Sequence, residues 1–170
     1  MISKKFASIM MIVGPILTLI MAFTGPLNPN AGVSWSDTQA VLGLLATANT
    51  DWAQINFLLL SIGLIMQVLG IRYFVNSMNS NDSVVNYSLT GGMAMIMGVI
   101  VVFGEGLLYG AAANAAAIAG GAGMGTAASM WAGGQAFGAG GSILLFLGMA
   151  LVSISAYVTN TFNKIIAILL

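Results

Sequence analysis

Glu105 is the one acidic or basic residue inside a long apolar stretch of this sequence, VVFGEGLLYG. A carboxylate within a membrane is energetically costly and marks a candidate functional site. Tyr109 lies four residues further along and shares a helix face with Glu105. Asn56 and Gln135 are expected at a similar depth, with Asn56 as the better-matched partner. Two roles are then open for Glu105. It either handles a proton or cation or contacts a partner subunit, or it has a structural role and joins its helix to the helix of Asn56.

The residue types that the sequence lacks exclude most other chemistry. It contains no cysteine and no histidine, so cysteine nucleophiles, histidine-based triads and the usual metal ligands are missing. Its four basic residues form no patch that would neutralise phosphates. We therefore predict a protein that is not an enzyme. We expect no catalytic residue, no metal site, no cofactor and no nucleic acid partner, with lipids as bound molecules.

The composition indicates a membrane protein. Of the 170 residues, 59% are hydrophobic and 5% are charged, whereas soluble domains carry about 25% charged residues. Four apolar stretches reach the roughly 20 residues that a membrane-crossing helix needs. We predict an all-α integral membrane protein, a four-transmembrane-helix bundle forming one domain over residues 1–170, without an internal repeat. The predicted spans are about 6–25, 52–71, 87–112 and 136–157.

The basic residues predict the orientation of these spans. Lys4 and Lys5 precede the first span, Arg72 follows the second and Lys164 follows the fourth. With four spans, all of these positions fall on one side, and the connections on the other side contain no lysine or arginine. Because positively charged loops stay in the cytoplasm, we predict a multi-pass protein of the cytoplasmic membrane with both termini in the cytoplasm and an inner loop over residues 72–86.

The first outer loop, residues 26–51, contains the pattern of a short amphipathic helix. Apolar residues follow a helical spacing there, at Val41, Leu44, Leu45 and Ala48. Ser34 or Ser36 is expected to cap the start of this helix, with Asp37 in its first turn. The helix is expected to be interfacial and to join two spans; the alternative is a lid over a pore or site.

The second outer loop, residues 113–135, is almost entirely alanine and glycine. So apolar a connection suits a segment covered by other protein, or a non-helical re-entrant pore loop. Its single tryptophan, Trp131, is predicted to anchor the chain at the membrane interface, as are Trp35 and Trp52 around the first outer loop.

Glycines at small-xxx-small spacing predict close helix packing. Gly106 and Gly110 form one such pair in the third span, and Gly134 and Gly138 form another at the start of the fourth. Further glycines thin the surface of the third span, at Gly91, Gly92, Gly98 and Gly104. We expect the third span to lie centrally in the bundle or against a partner.

Three functions fit these features. The first is a non-catalytic accessory or structural subunit of a larger membrane complex, packed against other integral membrane subunits and lipid through its Gly/Ala-rich helix faces. The second is a small oligomeric channel for an ion, proton or solute that uses Glu105. The third is a membrane-shaping or virion shell protein, since such proteins are also short and apolar.

The whole chain resembles the small multi-span accessory subunits of archaeal ammonia monooxygenase-type membrane complexes. The resemblance rests on the Lys4-Lys5 start, the four spans and the asparagine-rich joints NPN, NSMNSND and VTNTFNK. It implies a role in packing around copper-bearing catalytic subunits. No metal ligand carries over, because histidine is absent here.

Overall fold

The computed structural model describes residues 3–78, 85–118 and 121–159. Within these residues every regular element is helical. Four helices are long and apolar enough to cross a membrane, which confirms the predicted all-α architecture with four candidate spans. The α-helices are α1 (Lys4–Thr24), α2 (Thr38–Thr47), α3 (Thr50–Met78), α4 (Val85–Ala116) and α5 (Met124–Val158). A short 3₁₀ turn, Pro29–Ala31, follows α1.

The connection between α1 and α3 contains the short helix α2, and its cap differs from the prediction. Asp37 itself caps α2, because its side chain accepts a hydrogen bond from the Ala40 amide at 3.0 Å. Ser34 and Ser36 do not cap it; their hydroxyl groups lie 2.8 Å apart and bond to each other. An ionised aspartate also suits the positive end of the helix dipole.

The helices α4 and α5 extend well into the segment where a loop was predicted. Residues 113–135 were expected to be a connection, but α4 continues to Ala116 and α5 begins at Met124. Alanine is the strongest helix former, and packing against neighbouring helices offsets the cost of the glycines. A non-helical re-entrant loop is therefore wrong for residues 124–135.

The four long helices pack in a row. α1 packs against α3, α3 against α4, and α4 against α5, whereas α3 and α5 barely touch. The glycine-rich α4 is therefore central, as expected for the third span. The short α2 packs across one end of the row, on α4, α5 and α3. We call this the α2 end; α1 and α4 finish there, and α3 and α5 start there.

Small buried residues seven positions apart form the contact between α4 and α5, which we call the α4–α5 seam. The helices run antiparallel, and Gly98 faces Gly141. A β-carbon on either glycine would lie 2.9 Å from the carbonyl oxygen of the other, so the two backbones touch. The other small residues of the seam are Gly91 and Ala112 on α4, and Ala127, Gly134 and Gly148 on α5.

The contact between α1 and α3 repeats this arrangement. A β-carbon on Gly14 would lie 2.7 Å from the carbonyl oxygen of Gly63, and one on Gly63 would lie 2.9 Å from that of Gly14. Buried residues again recur at intervals of seven, at Ala7, Gly14 and Met21 on α1 and at Asn56, Gly63 and Gly70 on α3. The two helix pairs thus pack in the same way. The sequence shows no repeat because the pairs share little more than this spacing of seven.

Candidate functional site around Glu105

In the series of α4 residues spaced seven apart, Gly91, Gly98, Glu105 and Ala112, Glu105 is the one that is neither glycine nor alanine. Its spacing of seven from Gly98 and from Ala112 places it in line with them. Gly138 on α5 provides the space, since a β-carbon added there would lie 2.6 Å from the Glu105 carboxyl carbon. The carboxyl group therefore rests directly against the α5 backbone.

Tyr109, one helical turn further along α4, is held beside Glu105. Its hydroxyl group lies close to the Glu105 carboxyl group, where the two side chains are placed to interact. The Tyr109 side chain is 3% exposed, and Gly134 makes room for the ring, because a β-carbon there would lie 2.7 Å from Cδ1 of Tyr109. The two glycines of α5 thus accommodate the two polar side chains of α4.

Three aromatic side chains surround Tyr109 at the α2 end, and we call the four residues the aromatic cluster: Trp35, Phe57, Tyr109 and Trp131. The Tyr109 and Trp131 rings stack, with centroids 4.2 Å apart. Trp35 approaches Tyr109 edge-on at 5.8 Å and lies 5.5 Å from Trp131. Phe57 lies 5.5 Å from Tyr109. Such offset and edge-on arrangements are the favoured ones for aromatic pairs.

Trp131 differs from the interface anchor that was predicted. Its side chain is only 1% exposed, because the helix α5 begins seven residues earlier and turns it towards Tyr109. Its buried Nε1 atom has no hydrogen-bond partner among the described residues. Trp131 therefore serves as a core residue of the cluster.

The helix α2 packs over the buried members of the aromatic cluster, whereas Trp35 is 44% exposed. Val41 and Leu45 of α2 are completely buried, and Leu42 is 3% exposed. They belong to the same apolar core as Tyr109 and Trp131. The face that the sequence marked as apolar thus packs on the ends of the long helices and closes the site from that side.

A cavity of about 340 Å³ runs along α4 between α3 and α5, and we call it the α4 groove. It exists because α3 and α5 both pack on α4 but barely touch each other. On α4 its lining extends from Met95 to Tyr109, which is roughly 21 Å at about 1.5 Å per residue. Glu105, Trp35 and Phe57 line it near Tyr109.

The rest of the groove is lined mainly by aliphatic and methionine side chains. Its polar lining residues apart from Glu105 and Tyr109 are Ser61, Gln67 and Ser142. The Ser61 hydroxyl group is already bonded to the carbonyl of Phe57 within α3, at 3.0 Å. Glu105 is thus the main polar feature of an otherwise apolar cavity.

The predicted pairing of Asn56 with Glu105 is wrong. Asn56 is 2% exposed, and its amide nitrogen donates to the Met21 carbonyl oxygen at 3.0 Å. Its amide oxygen lies against Gly25. Asn56 therefore joins α3 to α1. It lies seven residues, about two helical turns, before Gly63, so it faces the same side of α3 as Gly63, which packs against α1. It also lines a second cavity of about 320 Å³ between these helices.

The remaining predicted residues lie outside the Glu105 site. Gln135 is exposed on α5 and does not line the groove. Gly106 and Gly110 face α3, where Gly106 lies against Ser61 and Phe57, and Gly110 against Gln54. Trp52 is 38% exposed, and its Nε1 donates to the Thr24 carbonyl oxygen at 3.1 Å, which joins the end of α1 to the start of α3.

The arrangement supports hydrogen bonding to a guest in the groove. A carboxyl group offers several acceptor positions, and Tyr109 is the polar side chain beside it on α4. The described residues contain no group of three acidic side chains that would hold a metal ion. An ion path through Glu105 stays a prediction.

Sequence reasoning found Glu105 and Tyr109 but missed the groove and the contribution of Trp35, Phe57 and Trp131. One signal was available. The spacing of seven that links Gly91, Gly98, Glu105 and Ala112 on α4 matches the one that links Ala127, Gly134, Gly141 and Gly148 on α5. Two series of small residues with the same spacing on neighbouring antiparallel helices predict that Glu105 faces α5 rather than α3.

Comparison with protein-family models, with curated proteins and with solved structures finds no match. The resemblance to accessory subunits of ammonia monooxygenase-type complexes therefore stays a prediction.

Proposed function

We propose that this chain is a non-catalytic accessory subunit of a larger membrane protein complex, in contact with other integral membrane subunits and with lipid. The observation that carries the proposal is a line of small residues on the exposed face of α5, opposite its contact with α4. We call this line the α5 stripe; it consists of Gly125, Ser129, Ala132, Ala136 and Gly140.

The α5 stripe has the shape that close helix packing requires. A β-carbon on Gly125 or Gly140 would meet nothing within 4 Å, so both backbones are open. The same helix face becomes bulky directly beyond the stripe, where Ile143 is 68% and Leu147 51% exposed. Contact with lipid tails favours large apolar residues as much as small ones, whereas a neighbouring helix approaches closely only where residues are small.

The glycine pairs singled out in the sequence do not provide this surface. Gly106 and Gly110 are covered by α3, and Gly134 and Gly138 by α4. They are used within the chain. The α5 stripe is thus the surface through which we propose that a partner helix packs.

We also propose that the protein lies in the cytoplasmic membrane with both termini in the cytoplasm. Lys4 and Lys5 begin α1, and Arg72 lies in the last third of α3. Because α1 and α3 are antiparallel, these residues share the end opposite α2. Lys164 lies outside the described residues.

Co-purification from native membranes tests the accessory role. Tagged wild-type protein extracted in mild detergent is expected to migrate as a larger assembly with a constant set of partners. Ala136→Phe is expected to release the partners while leaving the thermal stability of the chain unchanged, because the side chain at 136 points away from α4. The matched control is Ile143→Phe, which replaces one bulky residue by another on the same face.

Two outcomes would contradict the proposal. Migration of the wild-type protein at its own mass would show that it has no stable partner. Retention of all partners by Ala136→Phe would show that the α5 stripe is not the contact.

A further inference from the structure

We propose that the α4 groove binds a quinol-type lipid, meaning a planar ring that carries hydroxyl groups and one long apolar tail. The ring would lie against Trp35 at the end of the groove that Phe57 and Tyr109 also line, with a hydroxyl group donating to Glu105, and the tail would follow α4 towards Met95. The proposal concerns binding alone and is independent of the accessory role, which rests on another face of the molecule.

The dimensions of the groove suit a long, narrow guest. Its volume of about 340 Å³ lies within the range of small-molecule sites, about 300–1,000 Å³. The lining from Tyr109 to Met95 spans roughly 21 Å along α4 at about 1.5 Å per residue. A cavity of this volume and length accommodates one extended chain.

The two ends of the groove differ in chemistry. Away from Glu105 the lining consists largely of aliphatic and methionine side chains such as Leu64, Val99 and Met149. Near Glu105 three aromatic side chains, Trp35, Phe57 and Tyr109, line the cavity together with the carboxyl group. Trp35 is 44% exposed, so its ring is open to stack on a planar ring, and a carboxyl oxygen accepts hydrogen bonds from hydroxyl groups.

The charge of the site argues against a phospholipid headgroup. The lining contains no lysine or arginine, and its only charged side chain is Glu105. A phosphate bound there would have no cation in the lining to neutralise it. A neutral headgroup that donates a hydrogen bond satisfies both the acidic and the aromatic character of this end.

Tryptophan fluorescence of the purified full chain in detergent micelles tests the proposal, with decylubiquinol as the probe. Trp35 and Trp131 lie in the aromatic cluster, whereas Trp52 lies at the junction of α1 and α3. Saturable quenching is expected, and it is expected to persist in Trp52→Phe. Decanol and a phosphatidylglycerol at the same concentrations are not expected to compete.

Two neighbouring substitutions on α5 separate the groove from the lipid-facing surface. Ser142 lines the groove, so Ser142→Phe is expected to abolish saturable quenching. Ile143 is 68% exposed on the other side of α5, so Ile143→Phe is expected to leave it unchanged. Glu105→Leu removes the acceptor and is expected to weaken binding about tenfold, the loss expected for one hydrogen bond.

Equal quenching in wild type and Ser142→Phe would overturn the proposal, because the probe would then only partition into the micelle. Equal competition by decanol would overturn the assignment of a ring, and displacement of the probe by phosphatidylglycerol would assign the groove to a phospholipid. If Ser142→Phe does not fold, Leu145→Phe, which fills the same cavity from the next turn of α5, takes its place.

Discussion

Gly98 and Gly141 bring the backbones of α4 and α5 into direct contact, because a β-carbon on either would lie 2.9 Å from the other's carbonyl oxygen. Gly98 lies seven residues before Glu105 on α4. The closeness of the two helices at Gly98 therefore determines how closely α5 approaches the carboxyl group. The site around Glu105 depends on residues that carry no side chain at all.

Adjacent glycines of α5 give a matched test of this seam. Gly141→Ala is expected to destabilise the fold by about 1–3 kcal/mol, the usual cost of overpacking, because its β-carbon meets the backbone of Gly98. Gly140→Ala meets nothing within 4 Å and is expected to be neutral or to stabilise by up to about 1 kcal/mol, the gain in helix propensity. Thermal unfolding of both variants in detergent measures the difference, and equal stabilities would contradict the seam.

The hydrogen bond from Asn56 to the Met21 carbonyl is expected to hold α3 on α1. Asn56→Leu, which keeps a similar volume, is expected to lower the free energy of unfolding by about 1 kcal/mol, in the range of hydrogen bonds between membrane helices. Ser8→Ala is the control, because the exposed Ser8 hydroxyl bonds only to the Lys4 carbonyl of its own helix. Unfolding in sodium dodecyl sulfate compares the two; an Asn56→Leu variant as stable as the control would rule out this role.

The capping of α2 by Asp37 leads to a local prediction. Asp37→Ala removes the acceptor of the Ala40 amide and is expected to destabilise α2 by about 0.5–2 kcal/mol. Asp37→Ser restores a capping side chain and is expected to recover most of this loss. Hydrogen exchange over residues 38–47 reports the effect, and unchanged protection in Asp37→Ala would show that packing alone holds α2 in place.

The absence of cysteine makes the proposed orientation easy to test. The chain has none, so each introduced cysteine is the sole target for a maleimide reagent. Ser36→Cys lies in an exposed segment before α2, and Ser3→Cys lies before α1. A reagent that does not cross membranes is expected to label Ser36→Cys in intact cells and Ser3→Cys only after lysis. The reverse pattern would place the termini outside.

The number and character of the long helices could be predicted from sequence, because an apolar run of sufficient length has few alternatives in a membrane. Their ends could not. The Ala- and Gly-rich residues from 124 to 135 were interpreted as a loop, although they begin α5. The helix is helped there by the tight packing of Gly134 on Tyr109, a tertiary contact that local composition does not reveal.

Only part of the candidate site could be predicted, because the rest of it also depends on tertiary contacts. Glu105 and Tyr109 lie one turn apart on one helix, so their contact follows from helical geometry alone. The partners of Asn56 and Trp131 depend on the rotation of α3 and α5 about their axes. That rotation follows from the glycines that meet a neighbouring backbone, such as Gly63 and Gly141.

The two similar seams have a consequence for biosynthesis. Every residue named in the contact between α1 and α3 precedes residue 71, so these residues are synthesised before α4. The α4–α5 seam closes only when Gly148 has emerged. The chain thus consists of two successive hairpins, each with its own internal contact, and the groove beside Glu105 is complete only when the second packs on the first, because α3, α4 and α5 all line it.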